Sequence, residues 1–315
     1  MRRIHVMAAV IRDADRRILI AKRPDSAHQG GLWEFPGGKL EKGESRHEAL
    51  RRELREELGI EIDDARPLIG LHHDYPDKHI QLDVWEVSSF RGSAHGAEGQ
   101  PVLWVRESQL PQFSFPAANQ PIVTAAQLPD RYLITPDCNE HELFSGIERA
   151  IDSGIQLIQL RQTQLNADQY NELSKQVLAR WGAQVTFMLK GESPPTESNT
   201  GWHLTAAQLR ELVQQPTPVR PLPKGRWLAA SCHNAEELQM AEMLEVDFVT
   251  LSPVLPTKTH PDALPLGWES AHAMLRRCRL PTYLMGGLTL AELNTAHHAG
   301  AQGIAGIRGL WPSSQ

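Results

Sequence analysis

GKLEKGESRHEALRRELREELGI, residues 38–60, packs an unusual density of charge into a short span. Leu50, Leu54 and Leu58 recur every fourth residue, a narrow apolar stripe on a 3.6-residue period. Ser45 with Glu48 three residues on reads as a capping box, and Gly59 as a C-terminal stop, so the spacing predicts a helix from near Arg46. On that helix Glu53, Glu56 and Glu57 share one face beside the leucines. Carboxylates at these spacings repel. A hard divalent cation with oxygen ligands, Mg²⁺ above all, removes the repulsion, and substrate phosphates add further oxygens to it. Arg52 can pair with Glu56 one turn on, or with Glu44 from the preceding loop. The FPGGK run, Phe35 to Lys39, supplies two glycines where backbone can approach a ligand closely. The plainer account is a solvated, salt-bridged face, the usual state of a charge-rich helix.

The complete pattern says more than the charges. Gly38, Glu44 and the run Arg52-Glu53-Leu54-Arg55-Glu56-Glu57-Leu58-Gly59-Ile60 resemble the Nudix box at every defining position. The resemblance implies an α+β fold, a mixed sheet sandwiched by helices, and Mg²⁺-dependent hydrolysis of a nucleoside diphosphate derivative, with Mn²⁺ a possible substitute. It implies that Glu53, Glu56, Glu57 and the Gly37 carbonyl hold metal or activate water, that Arg52 orients Glu53, and that Glu44 holds Arg52. It leaves open which carboxylate is the base. Residues 4–125 further resemble the MutT-type members, which remove oxidised purine nucleotides, through AKRP, AHQGGLWEFPGGK, YPDKHIQL, AEGQPVLWV and FPAANQPIV. That narrower resemblance places Arg23, His28, Phe35 and Gly38 near phosphate or sugar, and Asp77 and Lys78 beside the base. Glu98, in a glycine-rich loop, becomes a further metal ligand or the base. Asn119 offers two donors and an acceptor to a purine edge; its plainer reading is a turn residue before Pro121. Lys78 stands where the resemblance leads one to expect arginine.

A chain of 315 residues is too long for this part alone, so two domains are expected, 1–128 and 129–315. A net charge of −6 argues against nucleic-acid polymers and anionic membrane as partners; the small-molecule nucleotide substrate that the resemblance implies tolerates it, because magnesium offsets the phosphates. No stretch reaches membrane-spanning length. The scattered Cys138, Cys232 and Cys278, without CxxC spacing, suggest reduced thiols and a cytoplasmic location. Oligomeric state is not readable.

From about Tyr132 short apolar strands alternate with helical stretches. Eight candidate strands, YLIT, LIQLR, VTFMLK, WHLT, WLAASC, FVTLSP, TYLMGG and GIAGIRG, predict a (β/α)₈ TIM-type barrel, with an open doubly wound sheet as the alternative. LIQLRQ, GWHLT, ASCHN, DFVTLSPVLPTKTHPDALPLGW and LMGGL resemble thiamine phosphate synthase and its TenI-like relatives. The resemblance implies a phosphorylated thiazole or pyrimidine ligand, with Arg161, Thr257, Lys258, Thr259, Gly286 and Gly287 as phosphate contacts at the carboxyl ends of the strands. The synthases carry metal-binding aspartates after strand three and before strand four. Met188–Glu192 (MLKGE) and Asn199–His203 (NTGWH) contain none, and Thr163 replaces an expected lysine. The barrel is therefore expected to have lost synthesis and to bind a ligand, keep a TenI-like isomerase activity, or act as a scaffold. A surviving synthase, and hydrolysis of a thiamine-diphosphate-like substrate, are the alternatives. His203 and His233 are candidates for proton transfer or for packed core histidines.

Overall fold

The computed structural model describes residues 3–26, 29–74, 79–257 and 263–312. The chain divides into two compact units, residues 1–127 with 275–279, and residues 128–274 with 280–315.

The first unit is built on two three-stranded sheets. In one, β1 (Arg3–Ile11) pairs in parallel with β5 (His79–Arg91), which pairs antiparallel with β4 (Glu61–Asp74). In the other, β2 (Ile18–Lys22) lies antiparallel between β3 (Trp33–Glu34) and β6 (Val102–Val105). Side-chain alternation along β1 splits the interior in two. Met7, Ala9 and Ile11 enter one core with Leu50, Leu54 and Leu58 of α1 (Arg46–Leu58). Ala8 and Val10 enter the other, with Ile122, Val123, Ala125 and Ala126 of α2 (Gln120–Gln127). The sheet is thus mixed and covered by helices on both faces. Each of the three buried leucines contributes about 2 kcal/mol by leaving water.

The second unit is a closed barrel of eight parallel strands: β7 (Arg131–Ile134), β8 (Leu157–Leu160), β9 (Thr186–Leu189), β10 (Gly201–Leu204), β11 (Leu228–Cys232), β12 (Phe248–Leu251), β13 (Thr282–Met285) and β14 (Gly303–Gly306). β7 pairs with β14, so the open-sheet alternative falls. The helices are α3 (Glu140–Asp152), α4 (Ala167–Trp181), α5 (Ala206–Val213), α6 (Ala235–Met243), α7 (Gly267–Leu275) and α8 (Leu293–His298). No helix separates β9 from β10, where a loop runs instead, and this omission helps fit the fold into a short chain. Tyr132, Leu157, Met188, Ala229, Phe248, Tyr283 and Ala305 fill the interior. At the entry, Tyr283 donates to the Pro129 carbonyl at 2.5 Å and Gln302 to that of Leu128 at 3.0 Å.

Candidate active site

Helix α1 starts and stops where its caps dictate. The Ser45 hydroxyl accepts from the Glu48 N–H, the Glu48 carboxylate accepts in turn from the Ser45 N–H, and Gly59 closes the helix in the left-handed region at φ 66°. The leucine stripe, buried against β1, fixes the rotation of the helix and so sets the azimuth of the acidic face that flanks the stripe.

Arg52 is the hub of that face. Its guanidinium donates to both oxygens of Glu44, at 2.7 and 3.0 Å, in the bidentate geometry that arginine alone offers. It also donates to Glu53 Oε1 at 2.8 Å, to Glu56 Oε2 at 3.3 Å and to the Lys39 carbonyl at 3.0 Å. These bonds hold Arg52 well above its ordinary pKa, and its bond holds the Glu44 carboxyl below the usual range.

The FPGG loop is laid against β1. Met7 N–H donates to Gly38 O at 2.7 Å and Ala9 N–H to Pro36 O at 2.8 Å. Between these two engaged carbonyls, that of Gly37 accepts no hydrogen bond among the described residues. The Gly37 N–H donates to Glu57 Oε2 at 3.0 Å. At Gly38 a Cβ would collide with the Glu53 carboxylate, so only glycine allows this approach. Burial pushes the Glu57 carboxyl up to about 8, the Gly37 N–H opposing and the negative charges of Glu34, Glu53 and Glu98 adding. The loop bearing Glu98 is fastened to the helix end: Ala97 N–H and Gln100 Nε2 both donate to the Glu57 carbonyl at 2.9 Å.

Among the described residues no group of three His, Cys, Asp or Glu side chains stands ready-made as a metal cage. Glu53 and Glu56 instead lean on Arg52. The donor set nevertheless suits a hard divalent cation: carboxylate oxygens around Glu57, a carbonyl oxygen at Gly37, and a half-buried Glu57 carboxyl raised first by burial and then by the negative charges near it.

Other residues named from the sequence fall into place unevenly. Arg23 forms an ion pair with Glu34, whose carboxyl burial raises against the opposing pull of Arg23. The sequence reading overlooked Glu34; its place directly before the FPGG loop was the available signal. The Phe35 ring is core, stacked on Phe115 at 5.5 Å, so what it offers a ligand is backbone. Its N–H donates to Asn119 Oδ1 at 3.4 Å, and Asn119 ends a short 3₁₀ turn just before α2. His28, Asp77, Lys78, Lys258 and Thr259 lie outside the described residues.

In the barrel, Gly286 and Gly287 end β13 at φ 99° and 68°. A Cβ on Gly286 would meet Pro253 at 2.7 Å, and one on Gly287 the Pro256 carbonyl at 2.6 Å. Backbone packing against the segment leading to Thr257 therefore demands both glycines. Arg161 follows β8 and donates to Asp137 at 2.9 Å. His203 is buried between Tyr132 and Ser231, at 2.8 and 3.0 Å, and burial pushes its pKa down to about 4. His233, half-exposed, contacts Glu237 at 2.9 Å, and Glu237 also meets Arg210 at 3.0 Å.

Residues 7–125 match the family model described as NUDIX domain, and residues 131–310 the one described as Thiamine monophosphate synthase. The first part is 37% identical over 123 residues to the 8-oxo-dGTP diphosphatase of Escherichia coli (strain K12), covering 39% of this chain and 95% of that protein. It is 39% identical over 125 residues to the CTP pyrophosphohydrolase of the same strain, covering 40% of this chain and 92% of that protein. The second part is 29% identical over 182 residues to the "Putative thiamine-phosphate synthase 2" of Aquifex aeolicus (strain VF5), covering 58% of this chain and 97% of that protein. The chain belongs to the Nudix family through its first unit and to the thiamine monophosphate synthase family, with its TenI-like members, through its barrel.

Proposed function

We propose that the protein is a Mg²⁺-dependent nucleoside triphosphate diphosphohydrolase that converts 8-oxo-dGTP to 8-oxo-dGMP and diphosphate. The observation that carries the reading is the Arg52-centred network, which fixes Glu53 and Glu44 beside a half-buried Glu57 among further carboxylates. Glu53, Glu56, Glu57, Glu98 and the Gly37 carbonyl would hold the metal. Bound there, it supplies the positive charge that offsets the phosphate oxygens and polarises phosphorus. Glu53 is the carboxylate best placed to take the proton of the attacking water. Its Oε1 accepts from Arg52, which fixes the orientation of the group toward metal and water. The water oxygen forms the new bond to phosphorus, the anhydride bond between the α- and β-phosphoryl groups breaks, and 8-oxo-dGMP and diphosphate separate. Arg23 stands by for phosphate or sugar, and Asn119 for the purine edge.

Likeness to a CTP pyrophosphohydrolase supports a second reading, in which the base is a pyrimidine. Steady-state kinetics with 8-oxo-dGTP, dGTP, CTP, ADP-ribose and thiamine diphosphate separate the readings. The proposal expects the largest kcat/KM for 8-oxo-dGTP. A preference for CTP replaces the substrate and keeps the chemistry, whereas turnover of none of the five removes both. The barrel we read as a ligand-binding unit that no longer synthesises thiamine phosphate. Rescue of a thiamine auxotroph by the full chain would overturn that part.

A further inference from the structure

The last carbonyls of a helix find no donor within it. At the end of α1 the segment 93–100 supplies the donors. His95 N–H donates to the Leu58 carbonyl at 3.2 Å, and Ala97 N–H to that of Glu57 at 2.9 Å. The Glu57 carbonyl accepts a second bond, from Gln100 Nε2 at 2.9 Å. The other end of the same side-chain amide, Gln100 Oε1, accepts from the Glu98 N–H at 3.0 Å. A carbonyl needs the NH₂ end and an N–H needs the oxygen, so one orientation of the amide satisfies both partners and the flipped one satisfies neither. Gln100 is thus a bridge between the main chains of two carboxylate residues, Glu57 and Glu98.

The two ends of the bridge differ in how firmly they are held. Gln100 is half-buried, and Pro101 after it biases its backbone toward the extended region. The Pro101 carbonyl accepts from Lys22 N–H at 2.8 Å, next to the pairing of β6 with β2. Glu98 is exposed, at the corner of a tight turn closed by Gly99 N–H donating to the Gly96 carbonyl at 3.0 Å. Only glycine fits at position 96, where a Cβ would collide with the Gln100 carbonyl. An exposed carboxylate takes its aim from the backbone beneath it, and at Glu98 the Gln100 amide fastens that backbone. The carboxylate is close enough to matter: burial raises the Glu57 carboxyl, and the charge of Glu98 adds to the rise.

We propose that Gln100 is a positioning residue for the hydrolase site, its amide setting Glu98 in register with Glu57 so that both carboxylates serve one cation. The proposal rests on reading Glu98 as a metal ligand. A side chain that only caps α1 would affect stability and nothing specific to metal. Amide exchange of the metal-free full chain, followed by NMR, needs no variant: the Glu98 N–H should be protected although its turn is exposed. Gln100→Met, which keeps the side-chain length and removes both polar ends, should speed that exchange about fivefold. Mn²⁺ alone, titrated by electron paramagnetic resonance, should bind Gln100→Met about tenfold more weakly than the parent. Ser45→Ala, which weakens the same helix at its other end, should lower the melting temperature and leave Mn²⁺ affinity unchanged. In a double-mutant cycle Gln100→Met should add nothing to Glu98→Gln, because a residue acting through another has no effect once that one is gone. Unchanged Mn²⁺ affinity in Gln100→Met, or losses that add in the double variant, overturns the positioning role and keeps Glu98 as a ligand. An unprotected Glu98 amide in the parent, or an equal loss of affinity in Ser45→Ala, does the same. Parent-like Mn²⁺ binding by Glu98→Gln removes Glu98 from the metal, and the role of Gln100 with it.

Discussion

Arg52 shows why one side chain in a charge-rich helix cannot be exchanged for another of the same sign. It spends its fork on Glu44 and still reaches Glu53 and Glu56. Lysine brings the charge without the planar fork. Arg52→Lys should therefore lower kcat by about 10–100-fold, the usual cost of losing a partner that orients the working groups. A circular dichroism spectrum should be unchanged. Equal turnover in the variant would show that Arg52 only decorates the surface. Asn119→Ala should act on the base instead, raising KM for the purine nucleotide by about tenfold with kcat nearly kept, since about 1–3 kcal/mol is at stake. An equal loss for every nucleotide in the panel would take Asn119 away from the base. These residues were legible because their spacing is fixed along a single helix or named by resemblance. Glu34 was not, because its nearness to Glu57 depends on how a two-residue strand is laid against a helix far along the chain.

Helix α1 was readable to its ends, since capping is a local interaction and its signals are adjacent in sequence. Ser45→Ala should cost about 1 kcal/mol of stability in the first unit, measured as a shift of the urea midpoint. Gly59→Ala should cost more. It forces alanine into the left-handed region, and its Cβ would meet the His95 ring at 2.6 Å. A Gly59→Ala midpoint at or above that of the parent would refute the steric argument. β4 escaped the sequence reading for a physical reason. Asp63, Asp64, Arg66 and Pro67 interrupt its alternation, and its register against β5 shifts at Ile62/Asp64, Asp64/Ala65 and Pro67/Ile69. α2 was hidden in the same way: Pro121 reads as a breaker, yet it sits at the helix's second residue, where a missing N–H costs little.

At the scale of the whole molecule, the alternation of short apolar runs with amphipathic stretches carried the barrel, and closure followed from pairing β14 with β7. What one pattern could not show is how the interior is used. The buried His203 makes that testable through pH. Its folded pKa, about 4, lies below the ordinary 6.5, so between these values the unfolded chain binds the extra proton. The stability it contributes is present above pH 6.5 and lost as pH falls through 4, roughly 3 kcal/mol in all. Urea midpoints of the second unit should fall over this window, and His203→Gln should flatten the slope. A parallel slope in the variant would assign the loss to other groups. The first unit makes the larger claim, that carboxylates gathered near one helix end serve a divalent cation and a nucleotide's phosphate chain. The most direct measurement is the rate of 8-oxo-dGTP hydrolysis by Glu53→Gln beside the parent protein, in saturating Mg²⁺. The account predicts a loss of at least about a thousandfold in kcat, as losing a proton acceptor together with a metal ligand requires, with the melting temperature retained. Undiminished turnover in the folded variant would contradict it.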